Sequence, residues 1–172
     1  MKKIGLIICV LISFYSCRKN SFVDPTILPE ATTSGAGTFG CLIDGWVYTG
    51  GRYSDYWDWV SAEEQPSINF CYYKAKDSMV VRVKTGEGEY LKFSIHNIVS
   101  NLKPQTCQLR HARFEPNAQA STDGIIPLDS LGEVYITELN DSLHIISGTF
   151  RGIGTNPRIK EGRFDVVYRT AQ

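Results

Sequence analysis

The chain has 172 residues, of which 42% are hydrophobic and 21% charged, and its 18 Lys+Arg balance 18 Asp+Glu. A balanced charge leaves no electrostatic footprint for nucleic acid. The length fits one domain with a core large enough to need no staples.

Lys2 and Lys3 open the chain, and Ile4 to Ile12 is a nearly unbroken apolar run. That run is too short for a membrane-spanning helix, which needs about 20 apolar residues. A charged start, a short apolar centre and a small residue before a cut site form a removable export signal. The small residue is Ser16, and Cys17 follows it. Phe14-Tyr15-Ser16-Cys17 resembles a relaxed lipobox, with bulky residues at Phe14 and Tyr15. Lipidation at Cys17 is therefore expected, with acyl chains as the membrane anchor. Cleavage after residue 16 removes Lys2 and Lys3 and no acid, leaving 16 Lys+Arg against 18 Asp+Glu, a formal charge of −2. Arg18, Lys19 and Asn20 after the anchor lack the acidic residues that tend to accompany surface export. The expected location is the outer membrane, facing the periplasm, with surface exposure as the alternative.

Residues 17–37 read as the lipidated Cys and a flexible tether, marked by Pro25, Pro29, Gly35 and Gly37. Residues 38–172 read as a single all-β domain. From Thr38 the hydrophobic period is two. Phe39 to Ile43, Asp44-Gly45 and Trp46 to Thr49 spell a hairpin with a type I′ turn. Strands follow at Ser67–Lys74, Ser78–Thr85, Tyr90–His96, Thr106–Phe114, Glu133–Leu139, Leu143–Gly152 and Gly162–Arg169. Lys76-Asp77 and Asn140-Asp141 are turns. About nine short strands with Gly, Pro, Asn and Asp between them favour an antiparallel β-sandwich, with a lipocalin-like β-barrel as the alternative. Gly50–Pro66 and Glu115–Leu128 are long irregular segments, which in compact domains are often functional or disordered.

Thr38-Phe39-Gly40-Cys41-Leu42-Ile43-Asp44-Gly45-Trp46, with Ile145-Ile146-Ser147-Gly148-Thr149-Phe150 and Gly162-Arg163-Phe164-Asp165 near the other end, resembles small lipoproteins common in Bacteroidota. The likeness covers both ends of the domain. Those families are largely of unknown function, so the resemblance implies an envelope location and a β fold, and carries no catalytic residues.

The densest candidate for ligand contact is Tyr53, Asp55, Tyr56, Trp57, Asp58 and Trp59. Aromatic rings offer flat apolar faces with polar tips, which suit interfaces. A sugar ring can stack on Trp or Tyr while Asp bonds its hydroxyls. The alternative is that these rings fold back over an open end of the core. Asp55, Asp58, Glu63 and Glu64 cluster in sequence, and paired carboxylates can hydrolyse glycosides at the right separation, which sequence does not give. His96, His111 and His144 lack partners at ligand spacing. Cys107 and His111, four apart in a strand, are expected on one face, too few for a metal site. No nucleophile elbow or phosphate loop is present. Cys41, Cys71 and Cys107 are expected as buried thiols, with one internal bridge as the alternative.

The expected function is thus a membrane-anchored, non-catalytic binding or accessory lipoprotein, with a glycan or an envelope protein as partner and no cofactor or metal. A structural subunit, a glycan-active hydrolase and a small-ligand carrier are the rival readings.

Overall fold

A computed structural model describes residues 26–50, 67–84, 89–100, 102–115, 132–152 and 158–171, and the backbone of 126–127. Eleven strands follow in chain order: β1 (Thr38–Ile43), β2 (Trp46–Gly50), β3 (Ser67–Tyr73), β4 (Ser78–Lys84), β5 (Tyr90–His96), β6 (Gln105–Glu115), β7 (Ile126–Pro127), β8 (Gly132–Asn140), β9 (Ile145–Arg151), β10 (Ile159–Val167) and β11 (Arg169–Ala171). Among the described residues the one helical turn is the 3-10 turn Lys74–Lys76. The all-β reading is correct.

The strands form one sheet in the order β11-β3-β4-β5-β6-β8-β9-β10-β1-β2, with β7 beside β6. Every pairing is antiparallel except β11 with β3. The sheet is curled into a half-barrel, and ring contacts across it report the curl. Phe93 of β5 and Phe39 of β1 are 6.5 Å apart although their strands lie far from each other in the sheet order. Phe150 joins them, at 5.1 Å from Phe93 and 5.4 Å from Phe39. Phe164 meets Phe70 at 5.2 Å. These rings, with Val81, Leu91, Ile95, Leu109, Val134, Ile136 and Ile146, fill the concave face. Gly162 makes room for them, since a Cβ there would lie 2.5 Å from the Phe150 ring.

The strand pattern was readable because inward positions alternate, as the two-residue side-chain period requires. The Asp44-Gly45 turn has positive φ at both residues, 51° and 90°, as a type I′ turn demands. Two details differ from expectation. The link from β8 to β9 is a wider turn, residues 141–144, with His144 in the left-handed region. Strand β10 begins at Ile159, three residues before Gly162. The alternation in β6 also slips. Phe93 faces a bulge at His111 and Ala112, and His111 takes φ 52°. A bulge moves every later side chain to the other face. Cys107 therefore points inward while His111 is exposed, and the pair does not share a face.

The N-terminal segment supplies the largest departure. A flexible tether was expected through residue 37, but residues 26–37 lie along the sheet as a strap. Asp165 of β10 draws them in. Its Oδ2 accepts bonds from Thr32 Oγ1 at 2.5 Å, Ser34 N at 3.0 Å and Ala36 N at 3.1 Å. Its Oδ1 accepts from Gly35 N at 2.8 Å and Ser147 Oγ at 2.6 Å. The carboxylate is 1% exposed. Burial alone would raise its pKa, yet the hydroxyls of Ser147 and Thr32 and the amides of Ala36 and Gly35 lower it to about 2. Further along, Pro29 sits on Gly40, where a Cβ would meet its Cδ at 2.5 Å. Arg163 donates to the Pro29 carbonyl at 3.2 Å.

Beyond β10, Tyr168 fixes the corner into β11. Its N–H donates to the His144 carbonyl and its hydroxyl to Asp141 Oδ1 at 2.6 Å. Lys74 also reaches Asp141, so the corner is tied to the β3–β4 turn.

Candidate functional site

The outward side chains of β6, β8, β9 and β10 form a groove of about 600 Å³, with Ala31 of the strap on one wall. Register builds its floor. Thr106, Tyr135, Thr149 and Arg163 stand opposite one another across four strands. In the next row Gln108 faces Glu133, and Glu133 faces Arg151. All of these positions alternate with core residues, so their outward direction follows from the same period that built the core.

Tyr135 is the aromatic of the floor. It is 45% exposed, in a strand whose inward neighbours Val134 and Ile136 are fully buried. Hydroxyls of Thr106 and Thr149 flank it in the same row. Arg151 donates to Glu133 Oε2 at 2.6 Å, with the two side chains 72% and 56% exposed. Arg163 lies 3.9 Å from Glu161. Open pairs of this kind add little stability, about 0–1 kcal/mol. Their use here is as an array of charged donors and acceptors beside an aromatic face. A ligand with an apolar face and many hydroxyls matches both parts.

Glu133 and Glu161 are open to water and lie against guanidinium groups. Among the described residues no three His, Cys, Asp or Glu side chains gather as a metal site. His96 and His111 meet at 5.9 Å, ring to ring, but bring no third ligand. Ser94 donates its proton to the Arg110 carbonyl, so the bond between Ser94 Oγ and His96 Nε2 takes its proton from the imidazole.

The ligand-contact candidates Tyr53, Asp55, Tyr56, Trp57, Asp58 and Trp59, and the expected lipidation site Cys17, lie outside the described residues. Gly50 and Ser67 bracket the aromatic segment, and Gly50 abuts Val83 and Ile68. Cys41, Cys71 and Cys107 are free thiols. Cys41 and Cys107 are buried as expected, while Cys71 is only half-buried. Burial raises the Cys107 pKa to about 11 and pushes Cys41 up as well.

Sequence reasoning missed the groove. Tyr135 is an aromatic on the polar side of an alternating strand, and that is the signal that marks it. The strap wall had no such signal, because its contacts join residues more than a hundred positions apart. No helix among the described residues is long and apolar enough to cross a membrane. Compared with protein-family models, curated proteins and solved structures, the chain matches none.

Proposed function

We propose that this chain is an exported outer-membrane lipoprotein, cleaved and lipidated at Cys17, whose β domain binds carbohydrate without catalysis. It is read as a relative of the small Bacteroidota lipoproteins that its two end motifs resemble, facing the periplasm. The observation that carries the binding reading is the groove floored by Tyr135, with threonine hydroxyls and Arg–Glu pairs around it. A sugar ring stacks its apolar face on Tyr135 while its hydroxyls exchange bonds with Thr106, Thr149, Glu133 and Arg151. We read the sheet as a half-barrel in preference to a sandwich, because the pairings run without a break and β10 continues into β11 to reach β3. The ring-filled concave face argues against an internal ligand carrier, which needs a cavity.

The strap refines the anchoring. If the acyl chains sit on Cys17, only about nine residues separate them from Thr26, a span of at most ~30 Å. The groove, walled by Ala31, is then held near the membrane.

The test is a neutral-glycan and peptidoglycan-fragment panel on the full chain, beside Tyr135→Ala and Trp57→Ala/Trp59→Ala. A hit weakened about ten-fold by Tyr135→Ala, at unchanged melting temperature, supports the groove. Silence across the panel, or equal binding by Tyr135→Ala, contradicts it. Loss in the double Trp variant alone moves the site to the aromatic segment. Fatty-acid labelling abolished by Cys17→Ala checks the anchor.

A further inference from the structure

Beside the groove, the outer face of β4, β5 and β6 carries an unusual row of cations. Arg82 stands opposite Lys92, and Lys92 opposite Arg113. Arg110 stands opposite Ser94, one step along β6. Like charges directly opposite one another in an antiparallel pair destabilise a sheet. Glu115 neutralises one of them, accepting from Lys92 Nζ at 2.7 and 2.8 Å. No carboxylate among the described residues pairs with Arg82, Arg110 or Arg113. Arg82 lies over the Tyr90 ring at 4.7 Å, and Arg110 donates from Nε to the neutral Gln108 Oε1 at 3.0 Å. His96 lies on the same face, its pKa lowered by burial first and then by the charges of His111 and Arg110. Three guanidiniums without a carboxylate partner among the described residues thus stand on β4 and β6, either side of Lys92 on β5, with Arg82 on an aromatic ring and Arg110 on a neutral amide. Their chemistry is that of anion recognition, where the planar guanidinium grips a carboxylate or sulfate with two bonds.

We propose that this face binds an acidic saccharide chain, held by Arg82, Arg110 and Arg113. Three features favour a saccharide over a lipid surface. The row runs across strands spaced about 4.8 Å apart, close to the length of one sugar unit in an extended chain. Its neighbours Asn69 and Gln108 are polar and suited to hydroxyls. Val80 is the one large apolar side chain exposed on these strands, whereas binding in a membrane interface relies on a broad apolar face. The patch is also continuous with the groove through β6. Arg110 donates to Gln108, Gln108 faces Glu133, and Glu133 holds Arg151. The inference rests on reading this face as a binding surface, and it assigns the acidic part of the ligand to residues outside the groove.

The probe is an oligogalacturonate, titrated into the full chain at low ionic strength beside a neutral gluco-oligosaccharide and phosphatidylglycerol vesicles. The expected result is binding of oligogalacturonate that weakens at least about ten-fold in Arg82→Gln/Arg113→Gln. It also fades near 1 M salt, where the screening length is ~3 Å. Arg82→Lys/Arg113→Lys restores part of it, and melting temperatures establish that each variant is folded. Three results overturn the proposal: no binding of oligogalacturonate, equal binding by the folded double Gln variant, or an arginine-dependent affinity confined to the vesicles. Failure of the groove reading looks different, because neutral-glycan binding would then be absent while the arginine-dependent acidic binding persists.

Discussion

Asp165→Asn removes the charge at the centre of the strap. In the native protein six hydrogen bonds of 2.5 to 3.3 Å converge on this carboxylate, from Thr32, from both the amide and the hydroxyl of Ser34, and from Gly35, Ala36 and Ser147. Three of those donors are backbone N–H groups, which cannot turn away. An Asn amide placed at Oδ1 sets its NH₂ against the Gly35 N–H, and placed at Oδ2 it opposes those of Ser34 and Ala36. Leaving one buried donor unsatisfied costs about 1–3 kcal/mol. An independent route gives a similar size. A pKa lowered from 3.8 to about 2 corresponds to about 2 kcal/mol of preference for the charged form in the folded state. The sign follows from the direction of the shift. The folded value lies below the unfolded one, so this contribution is fully present above about pH 4 and is lost as pH falls towards about 2. Urea unfolding at pH 7 is expected to show a loss of about 2–3 kcal/mol for Asp165→Asn, a midpoint lower by about 1–2 M. The variant also flattens the stability slope between pH 4 and pH 2. Hydrogen exchange should show Ser34, Gly35 and Ala36 amides losing protection before the core strands do. A midpoint within error of the native protein, with those amides still protected, would refute the reasoning.

Gly40→Ala is expected to destabilise by about 1–3 kcal/mol, because its Cβ would meet Pro29 at 2.5 Å; limited proteolysis checks it through faster cleavage within 26–37. His96, whose pKa is lowered first by burial and then by His111 and Arg110, makes stability fall as pH drops below about 6.5. That component should vanish from the pH profile of His96→Gln, and an unchanged profile would contradict it. Iodoacetamide applied to the native protein should label Cys71 well before Cys41 or Cys107, read site by site by mass spectrometry, since the latter two are buried thiols with raised pKa values. Equal labelling of Cys41 and Cys71 would count against the packing described.

The parts of the fold legible in the sequence are those with a local cause. Leu91, Phe93 and Ile95 alternate with Lys92, Ser94 and His96, and that alternation is what a strand with one buried face requires. Asp44-Gly45 names its own turn. The bulge at His111 was not legible, since it depends on how β6 meets Phe93 across the sheet. The strap escaped for a related reason. Thr32 to Gly37 carry small side chains and two glycines, which spell a linker when read locally. Their role comes from Asp165, on a strand more than a hundred residues away. Asp165 is buried beneath that strap, and nothing in its local sequence marks it as the point that holds residues 32–36. The groove was not legible, because it assembles from four strands whose order the sequence does not state, and the aromatic segment that the sequence offered, Tyr53 to Trp59, lies outside the described residues.

Chemical-shift mapping of the tightest glycan from the binding panel, titrated into isotopically labelled protein, tests the central claim most directly. The account predicts shifts that centre on Thr106, Glu133, Tyr135, Thr149 and Arg151, with an acidic glycan extending them to Arg82, Arg110 and Arg113. Shifts confined to residues 51–66, with those outward positions of β6, β8 and β9 unmoved, would contradict it.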